Sequence, residues 1–168
     1  MTRPSLSRGA PIAVSAWLLA IAWWLGSSTP VAAVLDSVKV TLPMSVSFAV
    51  TNVSASTAGS PSPTAVSFSN AVLVLTTKVR LSVKADGDFV PPSGRAIPAA
   101  LVSWTTSSPV QGVGSNGTLS VTAYGQLFEG SPNKTSGSVD VTWALAPPGT
   151  PLRAGIHSLT MRWKVEAF

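Results

Sequence analysis

Residues 137–145 read GSVDVTWAL and residues 157–167 read HSLTMRWKVEA, and both runs alternate apolar with polar side chains. In the first, Val139, Val141, Trp143 and Leu145 share one side. In the second, Leu159, Met161, Trp163 and Val165 oppose Ser158, Thr160, Arg162, Lys164 and Glu166. Period-two alternation marks a strand with one buried face, and an indole on each inward side requires a second layer to cover it. The break between them, APPGTPLRAG, is too rich in Pro and Gly to continue either strand. Trp143 and Trp163 are therefore expected to anchor the core of a β-sandwich.

The rest of the chain repeats this style. Residues 36–42 alternate on Val38, Val40 and Leu42, and residues 44–50 keep the same parity on Met44, Val46, Phe48 and Val50, which predicts one long N-terminal strand bent at Pro43. Residues 51–64 (TNVSASTAGSPSPT) predict a loop. Val66 and Phe68 open another strand. The unbroken apolar run 71–75 predicts a bulge that switches the inward parity to Leu73, Leu75, Val79, Leu81 and Val83, leaving Lys78, Arg80 and Lys84 on the solvated face. Residues 85–98 predict a long loop, 100–105 a short strand carrying Trp104, and 107–117 a loop whose Asn116-Gly117 is a turn signal. Residues 118–128 predict a strand with Leu119, Val121 and Ala123 inward and a kink at Gly125. About seven to nine short strands and no helical period predict an all-β fold, an antiparallel sandwich of immunoglobulin-like type.

Arg3 and Arg8 precede an apolar stretch at 10–25, followed by small residues ending Val31-Ala32-Ala33. This is the pattern of a secretory signal peptide cleaved after Ala33, with residues 34–168 forming a single domain. Pro11 and Ser15 keep the apolar run short for a membrane span, so membrane contact is expected only during export. The 11 basic residues exceed the six acidic ones, and removing Arg3 and Arg8 leaves a basic excess of three. That excess suits an anionic wall polymer and lacks the dense basic stripe of a nucleic-acid binder. The chain has no cysteine, so no disulfide supports it in a secreted, cell-surface or periplasmic location.

The residues that carry chemistry are few. His157 is the single histidine, at the start of its strand, and lacks the partners of a nucleophilic triad or a zinc site. Asp86-Gly87-Asp88 offers two carboxylates for calcium, although a tight turn explains the same residues. No carboxylate pair stands out for glycoside hydrolysis. Trp104, Trp143 and Trp163 would form a sugar platform only if exposed, and their parity favours the core. The sequons at Asn52, Asn116 and Asn133 lie in turn-forming sequence. No catalytic role, cofactor or metal is expected. A membrane β-barrel is excluded because Arg162, Lys164 and Glu166 stand where a final barrel strand would face lipid.

The element Thr142-Trp143-Ala144-Leu145 resembles the TWxL element of WxL-domain proteins, secreted bacterial proteins held non-covalently on the cell wall. Residues 154–163 (AGIHSLTMRW) are similar to the last strand of bacterial pilus and spore-coat-type subunits, which usually carry a disulfide that this chain lacks. Either resemblance implies a non-catalytic surface protein. The resulting expectation is an exported structural or adhesive protein of a bacterial surface, with Lys78, Arg80 and Lys84 touching an anionic polymer. The alternatives are a pilus-like or coat subunit that self-associates by strand addition through Val38, Val40 and Leu42, and a carbohydrate-binding module.

Overall fold

The alternation of residues 137–145 becomes the middle strand of the larger of two sheets in the computed structural model, which describes residues 38–73, 76–91, 93–149, 151–152 and 154–168. The expected signal peptide and its cleavage point lie outside the described residues. In chain order the strands are β1 (Lys39–Thr41), β2 (Ser47–Phe48), β3 (Thr57–Ser60), β4 (Thr64–Ser69), β5 (Val79–Ala85), β6 (Val102–Val110), β7 (Gly112–Gly114), β8 (Gly117–Thr118), β9 (Gly125–Gly130), β10 (Gly137–Leu145) and β11 (Met161–Ala167). One sheet has seven strands, the other runs β11-β5-β9-β7, and every pairing is antiparallel.

Strands β3 and β4 lie end to end along one side of β10, with Leu145 opposite Thr57 and Gly137 opposite Phe68; β6 lies along its other side. Outside them, β1 and β2 also run end to end, which is the bent N-terminal strand read from the sequence. Counting each end-to-end pair as one strand brings the segments to nine. The bend at Pro43 throws Met44 fully into solvent, against its expected inward place, while Val40, Val46 and Phe48 pack on the core. The β-sandwich fold is thus the one that the alternation implied.

Between the sheets, Val66, Phe68, Val139, Val141 and Trp143 of the larger sheet meet Val79, Leu81, Val83 and Leu127 of the smaller. Every second residue of β10 is buried, from Gly137 to Leu145. Trp143 is 1% exposed and stands edge-on to Trp163 at 6.5 Å between ring centroids. Trp163 is only half-buried, a correction to its expected burial. It stands on β11, the edge strand of its sheet, where no neighbouring strand among the described residues covers its outer flank.

Four other local expectations are corrected. Residues 57–60 form β3 rather than loop, because β10 offers unpaired backbone there and Gly59 lets the chain pass close to it; a Cβ on Gly59 would stand 2.7 Å from Val46 Cγ1. The parity switch expected from a bulge is a crossover: β4 ends at Ser69, Asn70 and Thr76 take positive φ, and β5 begins in the other sheet. Strand β6 continues to Val110 and leads directly into β7, because Gln111 (φ 54°) turns the chain from one sheet to the other, which replaces most of the loop expected at 107–117. Residues 120–124 leave the sheet, so Val121 and Tyr124 are exposed and Gly125 begins β9 instead of kinking a longer strand. His157 is half-buried four residues before β11 begins, beside the isolated pairing of Val90 with Ser158.

Candidate functional site: the outer face of the four-stranded sheet

Register decides which charges meet. Strand β11 sets Arg162 opposite Lys84, Lys164 opposite Ser82 and Glu166 opposite Arg80, and β9 sets Glu129 opposite Arg80 on the other side of β5. Successive side chains of a strand point to opposite faces, so these groups share the face turned away from the sandwich core. Lys78, Arg80, Lys84, Arg162 and Lys164 therefore gather with Asp86, Glu129 and Glu166 on or beside one sheet surface.

Most of these charges are paired. Glu129 takes both Lys78 Nζ at 2.8 Å and Arg80 Nη2 at 3.2 Å, and the Arg80 guanidinium lies 4.0 Å from the centroid of the Phe168 ring. Arg80 Nε is buried without an acceptor among the described residues. Two of the three cations expected to meet an anionic surface, Lys78 and Arg80, are thus occupied by Glu129. Sequence parity placed them on the right face but had no way to show a carboxylate from a strand 50 residues away.

The third, Lys84, has a different setting. Its ammonium stands 5.2 Å from the centroid of the Tyr124 ring, which Lys164 Nζ also approaches, at 5.8 Å. Lys164 also bridges to Glu166 at 2.6 Å, and Arg162 Nε to Asp86 at 2.7 Å. Among the described residues Lys84 is the cation of this face with no carboxylate within ion-pair distance. Tyr124, Arg162 and Lys164 were missed in the sequence as partners of Lys84, because only the β5–β11 register and the exit of the chain at 120–124 bring them together.

The proposed calcium ligands are engaged elsewhere. Asp86 faces Arg162, and hydrogen bonding from Arg162 holds its carboxyl below the usual range. Asp88 Oδ1 accepts the Ala99 N–H at 2.8 Å and so caps the short 3₁₀ turn Ala99–Leu101. No group of three His, Asp or Glu side chains converges among the described residues. Trp104 and Trp143 are 2% and 1% exposed and offer no face for a sugar. The three sequon asparagines brace turns: Asn52 accepts from Ser54 N–H, Asn116 from Thr106 N–H, and Asn133 from Thr76 N–H. A shallow cleft lined by Arg95, Ile97, Pro98, Leu101 and Leu152 holds no carboxylate or histidine.

The Glu129 cluster gives the domain an acid-sensitive element. Hydrogen bonding from Lys78, joined by that from Arg80 and opposed by partial burial, holds the Glu129 carboxyl below its ordinary value of 4.5. A depressed folded-state pKa contributes stability that is present above the unfolded value and lost as pH falls through the folded one. The melting temperature is therefore expected to fall between about pH 5 and pH 3, and less steeply in Glu129→Gln, which has no proton to take up there. Parallel profiles for the two proteins would exclude this assignment.

No family model, curated protein or solved structure matches the chain.

Proposed function

We propose that this domain is a non-catalytic adhesive module of an exported cell-surface protein, and that it meets anionic envelope polymers through the outer face of its four-stranded sheet. The observation that carries the reading is Lys84 and Lys164 both gathered beside the exposed ring of Tyr124, at 5.2 and 5.8 Å from its centroid. Two lysines beside an exposed aromatic ring offer an anionic chain two charge contacts next to an apolar surface. The non-catalytic part rests on the single half-buried His157 and on carboxylates engaged with cations or backbone N–H groups.

Retention on purified bacterial cell walls tests it. Binding is expected at low salt, with release as ionic strength rises, because exposed charges are screened over about 10 Å at 0.1 M salt. Lys84→Glu combined with Lys164→Glu is expected to weaken retention about tenfold or more, since each change replaces an attraction by a repulsion. Equal retention of the double variant, or none by the native protein, would overturn the reading.

Self-assembly by N-terminal strand addition is the second reading, favoured by the position of β1 at a sheet edge with Val40 only partly buried. Deleting residues 34–43 separates the two. Filaments lost on truncation would favour strand addition, and an unchanged monomer that still binds walls would favour adhesion.

A further inference from the structure

Among the described residues, strand β11 has a hydrogen-bonded neighbour on one side only, β5. It is also the longest regular edge among the described residues, with seven residues in unbroken register. The other edges are short or distorted. Strands β1 and β7 have three residues each and β8 has two, while the pairing of β6 shifts register near Ser108, which takes positive φ.

The ladder phase fixes what this edge presents. Lys78 and Phe168 exchange both backbone bonds, at 3.0 and 3.1 Å, and Asp86 N–H donates to Thr160 carbonyl at 2.8 Å. Even-numbered residues of β11 therefore turn their backbone groups toward β5. Met161, Trp163, Val165 and Ala167 turn theirs outward, because the direction alternates along an antiparallel strand. A row of donors and acceptors of this kind is a template for another strand.

We propose that β11 is a self-complementary docking edge that takes β11 of a second copy, antiparallel, across a two-fold axis at Val165. The two four-stranded sheets then continue into one another. Every two-fold axis through an interior residue of the strand keeps the odd-numbered backbone groups facing each other, and charge separates these registers. An axis at Arg162 or Glu166 sets that charge against its own counterpart, an axis at Trp163 sets Arg162 against Lys164 of the second copy twice, and an axis at Lys164 adds a lysine–lysine pair to two Arg162–Glu166 pairs. Like charges directly opposite are destabilising. The axis at Val165 sets Lys164 against Glu166 twice by symmetry, with no like pair. The two charges that now bridge along the strand at 2.6 Å would bridge across it instead. On the inner face, Trp163 comes opposite Ala167 of the second copy, which covers the flank that the edge leaves bare. The proposal requires no polymer and stands independently of the adhesive reading.

Cross-linking of the full chain tests it, and the absence of cysteine makes each introduced thiol unique. At this register residues 164 and 166 form a non-hydrogen-bonded pair about 4.5 Å apart at Cα, within the span of a disulfide, whereas 164 and its own counterpart are diagonal at about 7–8 Å. An equimolar mixture of Lys164→Cys and Glu166→Cys is expected to cross-link about tenfold faster than either variant alone. Val165→Pro placed in both chains is expected to abolish that difference, because it removes an N–H on the open edge while leaving every bond to β5 intact. Its melting curve checks that the fold persists, and Trp163→Pro, which removes the next open N–H, serves where it does not. Equal rates in the mixture and in Lys164→Cys alone, or rates unaffected by proline in a folded variant, would overturn the proposal.

Discussion

Trp143→Ala is expected to lower the unfolding free energy by about 3–5 kcal/mol, a large part of the roughly 5–15 kcal/mol that holds a domain together. The indole is 1% exposed. It sits tilted against Trp104 at 5.9 Å and edge-on to Trp163 at 6.5 Å, and donates its N–H to Thr64 Oγ1 at 3.0 Å. Thr64 Oγ1 in turn donates to the Val141 carbonyl at 3.2 Å, tying β4 to β10 beneath the ring. Truncation removes two aromatic contacts and a buried hydrogen bond and leaves a cavity in the middle of the sandwich. The half-buried Trp163 should tolerate alanine better, since its site can take in solvent. Denaturant titration followed by far-ultraviolet circular dichroism measures both. A loss below about 1 kcal/mol for Trp143→Ala, or a larger loss for Trp163→Ala, would contradict the assigned core.

The second large effect is expected at glycines. Trp104, 2% exposed, donates its indole N–H to the Ser115 carbonyl at 2.7 Å, and its ring packs closely against the backbone at Gly117 and at Gly125. A Cβ on Gly117 would stand 2.5 Å from Trp104 Cζ2, and one on Gly125 would stand 2.7 Å from Cη2. A buried ring has no room to move, so Gly117→Ala and Gly125→Ala are each expected to cost about 1–3 kcal/mol. Pairing either with Trp104→Phe, whose smaller ring vacates those positions, should cost less than the sum of the single changes. Strict additivity would show that the strain lies in the backbone instead.

The parts of this fold that were legible are those where burial writes a period into the chain. The alternation in 137–145 and that from Val79 to Val83 each gave the inward face correctly. Periodicity reports a face and not a partner, however, so nothing in 137–145 and 157–167 showed that they belong to opposite sheets. Polar segments that pair because a neighbour's backbone is available, such as Thr57–Ser60, carry no such mark. Residues 118–123 show the reverse error, since Val121 keeps the alternation after the chain has left the sheet. The candidate site was half legible for the same reason: parity turned Lys78, Arg80 and Lys84 outward, whereas the pairing of Glu129 with two of them, and of Tyr124 with the third, depends on register alone.

The place of β10 in the chain has a consequence for the order of folding. Every other strand of its sheet precedes it in sequence, and it supplies the inner neighbour of β3, β4 and β6. A nascent chain ending before Gly137 would hold the bent β1/β2 strand against β3/β4, and β6 against β8, two narrow ribbons without the strand that joins them, and two-stranded ribbons are marginal in water. The larger sheet therefore cannot close until β10 has been made. Its formation then requires joining segments far apart in sequence, which makes folding slow. A chain built this way lacks its larger sheet until the last strand of that sheet arrives.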